Sequence, residues 1–423
     1  MITLVPFFAL AAVWAIVGAL VLIALAIFCG GTRREQFISN IARYGLLIAW
    51  TSVLIASAGY LIFGGVPTEV ASVMLCSLSH HSLQVQLSFD GLAAPFLVIT
   101  YSLCGIAAAF SRDYLHRDRG HGRFYLLVML FALGMSIVVL ARNMATMYIG
   151  WELIGLTSAL LISFFHERGA TRENALRAFW AYRLSDTSLL LAALMLTMHQ
   201  EGGISPNPSL DGLRGIIIPI LILLAAMPKS AQVPFSAWLP RAMEGPTPSS
   251  AIFYGGLSVH AGLYLLLRSG EWITFPVWFN STLCVIGIVS AGLGSIQASV
   301  QTDIKGSLAF ASMSQVGLMF IEVGCGFYRV AVIHFIGHSV LRTYQILSAN
   351  SALHEGRTRH GGQFAADSRV AALAYRVAFL TSIRDGLGPY SLVSILERVS
   401  THLGRCEAQF TATIGRWAGR TRR

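Results

Sequence analysis

The chain is a succession of apolar runs, each long enough to cross a bilayer, separated by short polar turns. Leu4 to Cys29 passes without one charged side chain, and comparable runs recur up to about residue 350. A helical span needs about 20 apolar residues. In lipid every backbone polar group must be satisfied within the protein, so only helices and closed barrels cross. Barrel strands read as segments of about ten residues with alternating polarity, which these runs do not show. Of the 423 residues only 12% are charged, against roughly 25% in a soluble domain. The expected fold is therefore all-α and polytopic, with no soluble module large enough to fold alone. Leu4–Cys29 is too long for the apolar core of a signal peptide, and no cleavage site follows it.

Spans are expected near 4–29, 43–64, 91–110, 124–141, 144–165, 174–198, 215–235 (broken), 247–268, 273–299, 303–323 and 328–350. That is about eleven crossings. The arginines support the order. Arg33, Arg34 and Arg43 follow the first span, Arg112, Arg117, Arg119 and Arg123 separate the third and fourth, and Arg168 and Arg172 separate the fifth and sixth. The alternate loops are poorer, with Arg142 and Arg329. This asymmetry puts the N-terminus outside and the arginine-rich loops in the cytoplasm, with the chain in the cell's inner (plasma) membrane. Residues 1–350 form the membrane domain, and 351–423 form a polar hinge and an amphipathic tail. The tail's basic end, Arg416 to Arg423, favours the cytoplasmic surface. A twelfth crossing there is the alternative.

Net charge is +10. The arginines sit in short loops and the tail, so the partner they imply is the lipid bilayer, not nucleic acid. Cys29, Cys76, Cys104, Cys284, Cys325 and Cys406 are scattered without a CxxC pair, which argues against iron–sulfur ligation and a disulfide framework. No GxxxxGK[ST] loop is present, so ATP does not drive the chain directly.

One stretch breaks the pattern. LILLAAMPKSAQVPFSAWLP, Leu221 to Pro240, begins as lipid-compatible helix and then meets Pro228, Lys229 and Pro234. Pro228 removes a backbone hydrogen bond and opens the helix. The freed groups survive at membrane depth only against protein or a water-filled cavity, so Lys229 is expected to meet water halfway across. Lysine and arginine together number 30, and only Lys229 and Lys305 are lysine. GC-rich coding accounts for arginine on the surface, but not for both lysines lying in or at the edge of spans. Lysine can shed its proton when desolvated and arginine cannot. Other ionisable groups share this depth: Glu152 in IGWELIGL, Arg183 and Asp186 three apart on one helical face, His260, and His334 and His338 one turn apart with Arg342 a turn further on. A lone buried histidine is commonly structural. A carboxylate, two lysines and several histidines on neighbouring spans suggest a proton relay. Glu152 is the expected partner of Lys229.

These residues lie in motifs that resemble a known family. WLPRAMEGPTPSSA (238–251) is similar to the WLPDAMEGPTPVSA signature of the antiporter-like membrane subunits of respiratory complex I. QTDIKGSLAFASMSQVGLMF (301–320), GWELIGLTSALLISF (150–164), HFIGHSVLRTYQIL (334–347), FDGLAAPFL (89–97) and GRFYLLVMLFALGMSIVVLARN (122–143) also match motifs of that family. The resemblance runs in order over a core of about 85–350 and is strongest to the largest such subunit, subunit 5 in mitochondria or L in bacteria, kin to Mrp-type sodium/proton antiporters. It implies inverted five-helix repeats, each with one broken helix, and a second repeat left incomplete by the span count above. It also implies that Glu152 and Lys229 form the central acid–lysine pair, that Lys305, His334 and His338 carry the relay onward, and that Asp186 and Arg183 tune it. This chain has Arg342 where the family has lysine, Tyr254 where a histidine is usual, and no evident exit residue on a twelfth span.

The function implied is proton translocation within a complex I-type NADH:quinone oxidoreductase, a translocase subunit with no redox chemistry and no cofactor of its own. Its partners would be other membrane subunits and protons, or sodium. An ion-conducting membrane partner in a two-component inorganic-carbon (CO2/bicarbonate) uptake system, working with a soluble protein, is the alternative; an Mrp-type sodium/proton antiporter subunit is another.

Overall fold

The structure is a computed structural model that describes residues 4–30, 35–78, 81–197, 212–301 and 303–356. All of them belong to one compact unit, Met1–Ala366. The amphipathic tail expected beyond 356 lies outside the described residues.

The architecture is helical, as expected. Helices α1 (Leu4–Gly30) and α2 (Glu35–Ile62) open the chain. They pack along a seam of small residues and β-branched isoleucine and valine, among them Ala12, Ala19, Ala42 and Ala49. Gly45 allows the closest approach: a Cβ there would stand 2.6 Å from the Ala19 Cβ. Their other faces show Phe7, Trp14, Leu22 and Leu47 outward, the dressing of a lipid-facing surface. Helices α3 (Ala93–Tyr114), α4 (His121–Leu140) and α5 (Met144–Ile162) follow, then α6 (Gly169–Thr197) and α7 (Arg214–Lys229).

The next span is irregular. It is made of α8 (Thr247–Ser250), a π turn over Ala251–Gly256, a 3₁₀ turn over Ser258–His260 and α9 (Ala261–Trp272). A continuous helix was expected there. Helices α10 (Val277–Val300), α11 (Ile304–Gly324) and α12 (Tyr328–Gly356) complete the unit. Helices α10 and α11 meet through glycine: a Cβ on Gly287 would strike the Gly317 carbonyl at 2.5 Å.

Eight helical segments among the described residues are long and apolar enough to cross a membrane. Helices α6, α7 and α12 also lie where spans are expected. Helix α7 is short, at 16 residues. Helices α6 and α12 carry inward polar groups that lower their mean hydropathy. Helix α6 still turns Leu176, Trp180, Leu184, Leu191 and Leu194 outward.

One element was not expected from the sequence. Strands β1 (Thr68–Leu78) and β2 (His81–Phe89) form an antiparallel hairpin with Thr68 opposite Phe89. Its signal is legible in retrospect: Leu83, Val85, Leu87 and Phe89 alternate with Gln84, Gln86 and Ser88, a period of two. The hairpin sits over the α4–α5 turn, where Arg142 N–H donates to the Gln86 carbonyl (3.0 Å) and Gln86 N–H to Thr146 Oγ1 (2.9 Å). This end of the bundle is called the hairpin face below. The opposite face carries the loops with Arg117, Arg119, Arg168 and Arg172.

Candidate proton-relay site

Three helices meet at the break. Trp151 on α5 donates Nε1–H to Ser185 Oγ on α6 (3.0 Å), and that hydroxyl donates to the Ala225 carbonyl on α7 (2.5 Å). The chain of bonds sets α5, α6 and α7 side by side one turn before α7 ends at Lys229.

The break itself is closed by protein. The Pro228 carbonyl accepts from Ala231 N–H (3.2 Å) and from Trp238 Nε1–H (2.9 Å), and the Met227 carbonyl from Gln232 N–H (2.9 Å). Ala231 has φ 51°, a left-handed conformation that costs a non-glycine residue about 1–2 kcal/mol and that these bonds hold in place. Val233 N–H donates to Ser290 Oγ on α10 (3.0 Å). The expectation of water at the freed backbone is thus replaced by specific partners. Among the described residues, Ser230 Oγ and Gln232 Oε1 are the buried polar atoms of the break left without one.

Lys229 is fully buried. Its Nζ donates to the Trp151 carbonyl (2.7 Å) and to Asp186 Oδ1 (3.2 Å), and lies 4.5 Å from the Trp151 ring centre. A carbonyl, a carboxylate and an aromatic face replace the water an ammonium loses on burial. The direct carboxylate partner is Asp186, not Glu152. Glu152 is one link further out: Arg183 grips it with Nη2 (2.6 Å) and Nη1 (3.2 Å), and the same Nη2 stands 2.7 Å from Asp186 Oδ2. That second contact is an ion contact without hydrogen-bond angles, so Asp186 Oδ2 has no hydrogen-bond partner. Tyr148 Oη donates to Glu152 Oε1 (2.8 Å). The order is Tyr148, Glu152, Arg183, Asp186, Lys229, running from half-exposed to buried. Gly155 makes the last step possible: a Cβ there would lie 3.3 Å from Lys229 Nζ and 3.6 Å from Asp186 Oδ2.

A second polar group lies across the irregular span. His260 Nε2 and His338 Nδ1 are 3.0 Å apart, and both rings are buried. His334, four residues before His338 on α12, contacts Glu322 Oε1 through Nδ1 (2.8 Å) and Gln315 Oε1 through Nε2 (3.0 Å). Arg342 is buried with Nε unpartnered. Tyr182, whose ring centre is 5.5 Å from Lys229 Nζ, is buried, as are the hydroxyls of Ser158 and of Ser258, two residues before His260.

Lys305 stands apart. It lies at the start of α11, half-buried, and donates to Thr247 Oγ1 (2.9 Å). The beginning of α11 is at the face opposite the hairpin, so Lys305 is not in line with the histidines. Missed by sequence reasoning were Glu322, hidden in an apolar run, and an Asp90–Arg268 pair. Arg268 binds Asp90 Oδ2 (2.5 Å) and Oδ1 (3.0 Å), Glu271 (2.7 Å) and Tyr264 (2.6 Å), while Asp90 caps α3 through Ala93 N–H (2.8 Å). That cluster staples the hairpin, α3 and α9 together.

Comparison with known proteins agrees with this geometry. Residues 141–383 match the family described as NADH:quinone oxidoreductase/Mrp antiporter, transmembrane, and residues 76–125 match the N-terminus of complex I chain 5. A NAD(P)H-quinone oxidoreductase chain 5 from Synechocystis is 35% identical over 302 residues, covering 68% of this chain and 44% of that protein. A "Probable inorganic carbon transporter subunit DabB1" from Halothiobacillus neapolitanus is 32% identical over 339 residues, covering 76% and 59%. The structure of the Mrp complex from a Dietzia species superposes with a TM-score of 0.71 at 29% identity, covering 85% of this chain and 39% of that one. The chain thus spans less than two thirds of each of these relatives. It is a multi-pass membrane protein of the NADH:quinone oxidoreductase/Mrp antiporter transmembrane family.

Proposed function

We propose that this chain is a proton-translocating membrane subunit of a complex I-type quinone oxidoreductase, working beside other membrane subunits. One observation carries it: a fully buried lysine at a helix break, paired to Asp186 and linked through Arg183 to Glu152. Ionisable groups at this depth are costly and are kept where an ion passes. Apolar packing would fill a purely structural role at least as well.

Arg183 is the moving part. It is shared between Glu152 and Asp186, and Lys229 competes for Asp186. When Arg183 leans on Glu152, Asp186 holds the lysine's charge. When Arg183 takes Asp186, Lys229 is left without a counter-charge and passes its proton toward Ser230, Ser258 and His260. Asp186 is therefore more than a tuning residue: it is the group that decides whether Lys229 keeps its proton. Glu152, Arg183, Lys229, His334 and His338 keep the roles the family resemblance implies, and Lys305 serves an entry route on the opposite face. The hairpin face is read as the outside from the arginine asymmetry, with the N-terminus outside, the C-terminal tail in the cytoplasm and the chain in the inner (plasma) membrane. Redox chemistry and its cofactors belong to other subunits.

The carbon-uptake reading has its own support. A relative 32% identical to this chain over 339 residues is described as a probable inorganic carbon transporter subunit. Isolation of the native assembly in mild detergent separates the two: quinone-reductase subunits in it support the first, a soluble carbonic-anhydrase-like partner the second. The shared core is tested in proteoliposomes with a pH-sensitive dye and an imposed potential, with sodium present or absent. Wild-type protein should conduct protons and Lys229→Ala should not; equal flux in both contradicts the proposal.

A further inference from the structure

The relay proposed above reaches His334 without a named exit group. We infer that Glu322 is that exit: the carboxylate that takes the proton from His334 and releases it at the hairpin face. The inference rests on the relay proposed above.

Position comes first. Helix α9 ends at Trp272 beside the Asp90–Arg268 cluster, at the hairpin end of α4, where Arg268 also reaches the Val139 carbonyl (3.4 Å). Helix α10 begins at Val277, so it starts on that face, and antiparallel α11 ends there at Gly324. Glu322 is two residues before that end, about 3 Å along the axis at 1.5 Å per residue. Helix α12 starts from the same face at Tyr328. His334 is then about 9 Å in and His338 about 15 Å in. The line His260, His338, His334, Glu322 climbs from mid-membrane to the hairpin face.

Chemistry comes second. An imidazolium at His334 donates Nε2–H to Gln315 Oε1 (3.0 Å) and Nδ1–H to Glu322 Oε1 (2.8 Å). Transfer breaks the Nδ1–H bond and forms an O–H bond, leaving neutral imidazole and neutral carboxyl. Loss of that proton to water at the face restores the carboxylate; the vacated Nδ1, turned from Glu322 toward His338, then takes a proton from His338 and restores the imidazolium. The His334 and His338 ring centres are 6.4 Å apart, within reach of a turned imidazole. Glu322 Oε2 is buried with no hydrogen-bond partner. Glu322 is also part-exposed at the side chain (21%), next to the exposed Cys325–Tyr328 turn.

The test compares wild type, Lys229→Ala, Glu322→Gln, Glu322→Asp and the double change Glu322→Gln/Gln315→Glu in proteoliposomes at matched insertion. Gln at 322 keeps the volume and the acceptor for His334 but cannot carry a proton. It should lower flux about a hundredfold, the scale of a lost acid–base group. Glu322→Asp should retain most flux, whereas Gln315→Glu should not rescue Glu322→Gln, because residue 315 lies about 10 Å deeper on α11. Normal flux in Glu322→Gln with none in Lys229→Ala overturns the exit and leaves the relay standing. Normal flux in Lys229→Ala overturns the relay first. Equal loss in Glu322→Gln and Glu322→Asp makes Glu322 structural, and full flux in the double change shows that release does not need a carboxylate at the face; either result overturns the exit. In the wild-type protein a water-soluble carbodiimide applied to the hairpin face should modify Glu322 in step with lost flux. Absence of that modification contradicts release there.

Discussion

Replacing Asp186 by Asn tests the order of the charges most sharply. The Lys229–Asp186 contact is 3.2 Å between fully buried side chains. At an effective dielectric of about 20 a unit pair at that distance is worth about 5 kcal/mol. Breaking a buried pair by removing one partner typically costs about 3–5 kcal/mol, because the other charge stays uncompensated. The Glu152–Arg183 pair is different. Its side chains are 27% and 32% exposed, so breaking it leaves a less deeply buried charge and costs less. Asp186→Asn should therefore destabilise the protein by several kcal/mol more than Glu152→Gln. Removing both charges, as Asp186→Asn with Lys229→Met, should cost less than either single change, since apolar or neutral replacements of a buried pair are near neutral. The assay is a denaturing-detergent titration of the purified protein followed by tryptophan fluorescence, run as a double-mutant cycle. Proton flux is measured on the same samples and should be lost in all four variants. Equal costs for Asp186→Asn and Glu152→Gln, or single costs that add within about 0.5 kcal/mol, would refute the assignment of Asp186 as the lysine's partner.

Gly155→Ala should reduce flux strongly, because its Cβ would crowd Lys229 Nζ at 3.3 Å; an unchanged flux at matched insertion would show that the ammonium does not need its Trp151 carbonyl. A membrane-impermeant maleimide should label Arg142→Cys, placed in a background without native cysteines, from outside and Arg117→Cys from inside; both residues are exposed, and labelling of both from one side would undo the topology. Cys284 and Cys325 have sulfurs 3.8 Å apart, so a mild thiol oxidant should crosslink them and shift a fragment cut between α10 and α11; no crosslink would count against the packing of those helices.

Much of the helix order was legible because lipid permits few solutions. The break at Pro228 and the isolation of Lys229 were visible for the same reason: proline and charge are conspicuous in an apolar run. Partner choice was not visible. Arg183 and Asp186 share a helical face by their spacing, yet which carboxylate meets Lys229 depends on the close approach of α5 to α6 and α7 at Gly155. The His260–His338 contact spans 78 residues and the Asp90–Arg268 pair 178, distances over which no local pattern carries information. The π turn in the eighth span begins three residues after Pro248. It arises where α12 packs against the turn, with Arg342 and Ile346 against Gly255. The hairpin was readable and was passed over, because its alternation is short beside the long runs that flank it.

The central claim is that Lys229 carries the proton instead of only fixing the local charge. Lysine and arginine separate these roles: both are cations, but arginine keeps its proton at any attainable pH. The measurement is proton flux in vesicles with Lys, Arg or Ala at position 229, matched for membrane insertion. Carriage by Lys229 predicts flux with lysine alone, with Lys229→Arg as inactive as Lys229→Ala. Flux in Lys229→Arg equal to wild type would make the lysine an electrostatic fixture and contradict the relay.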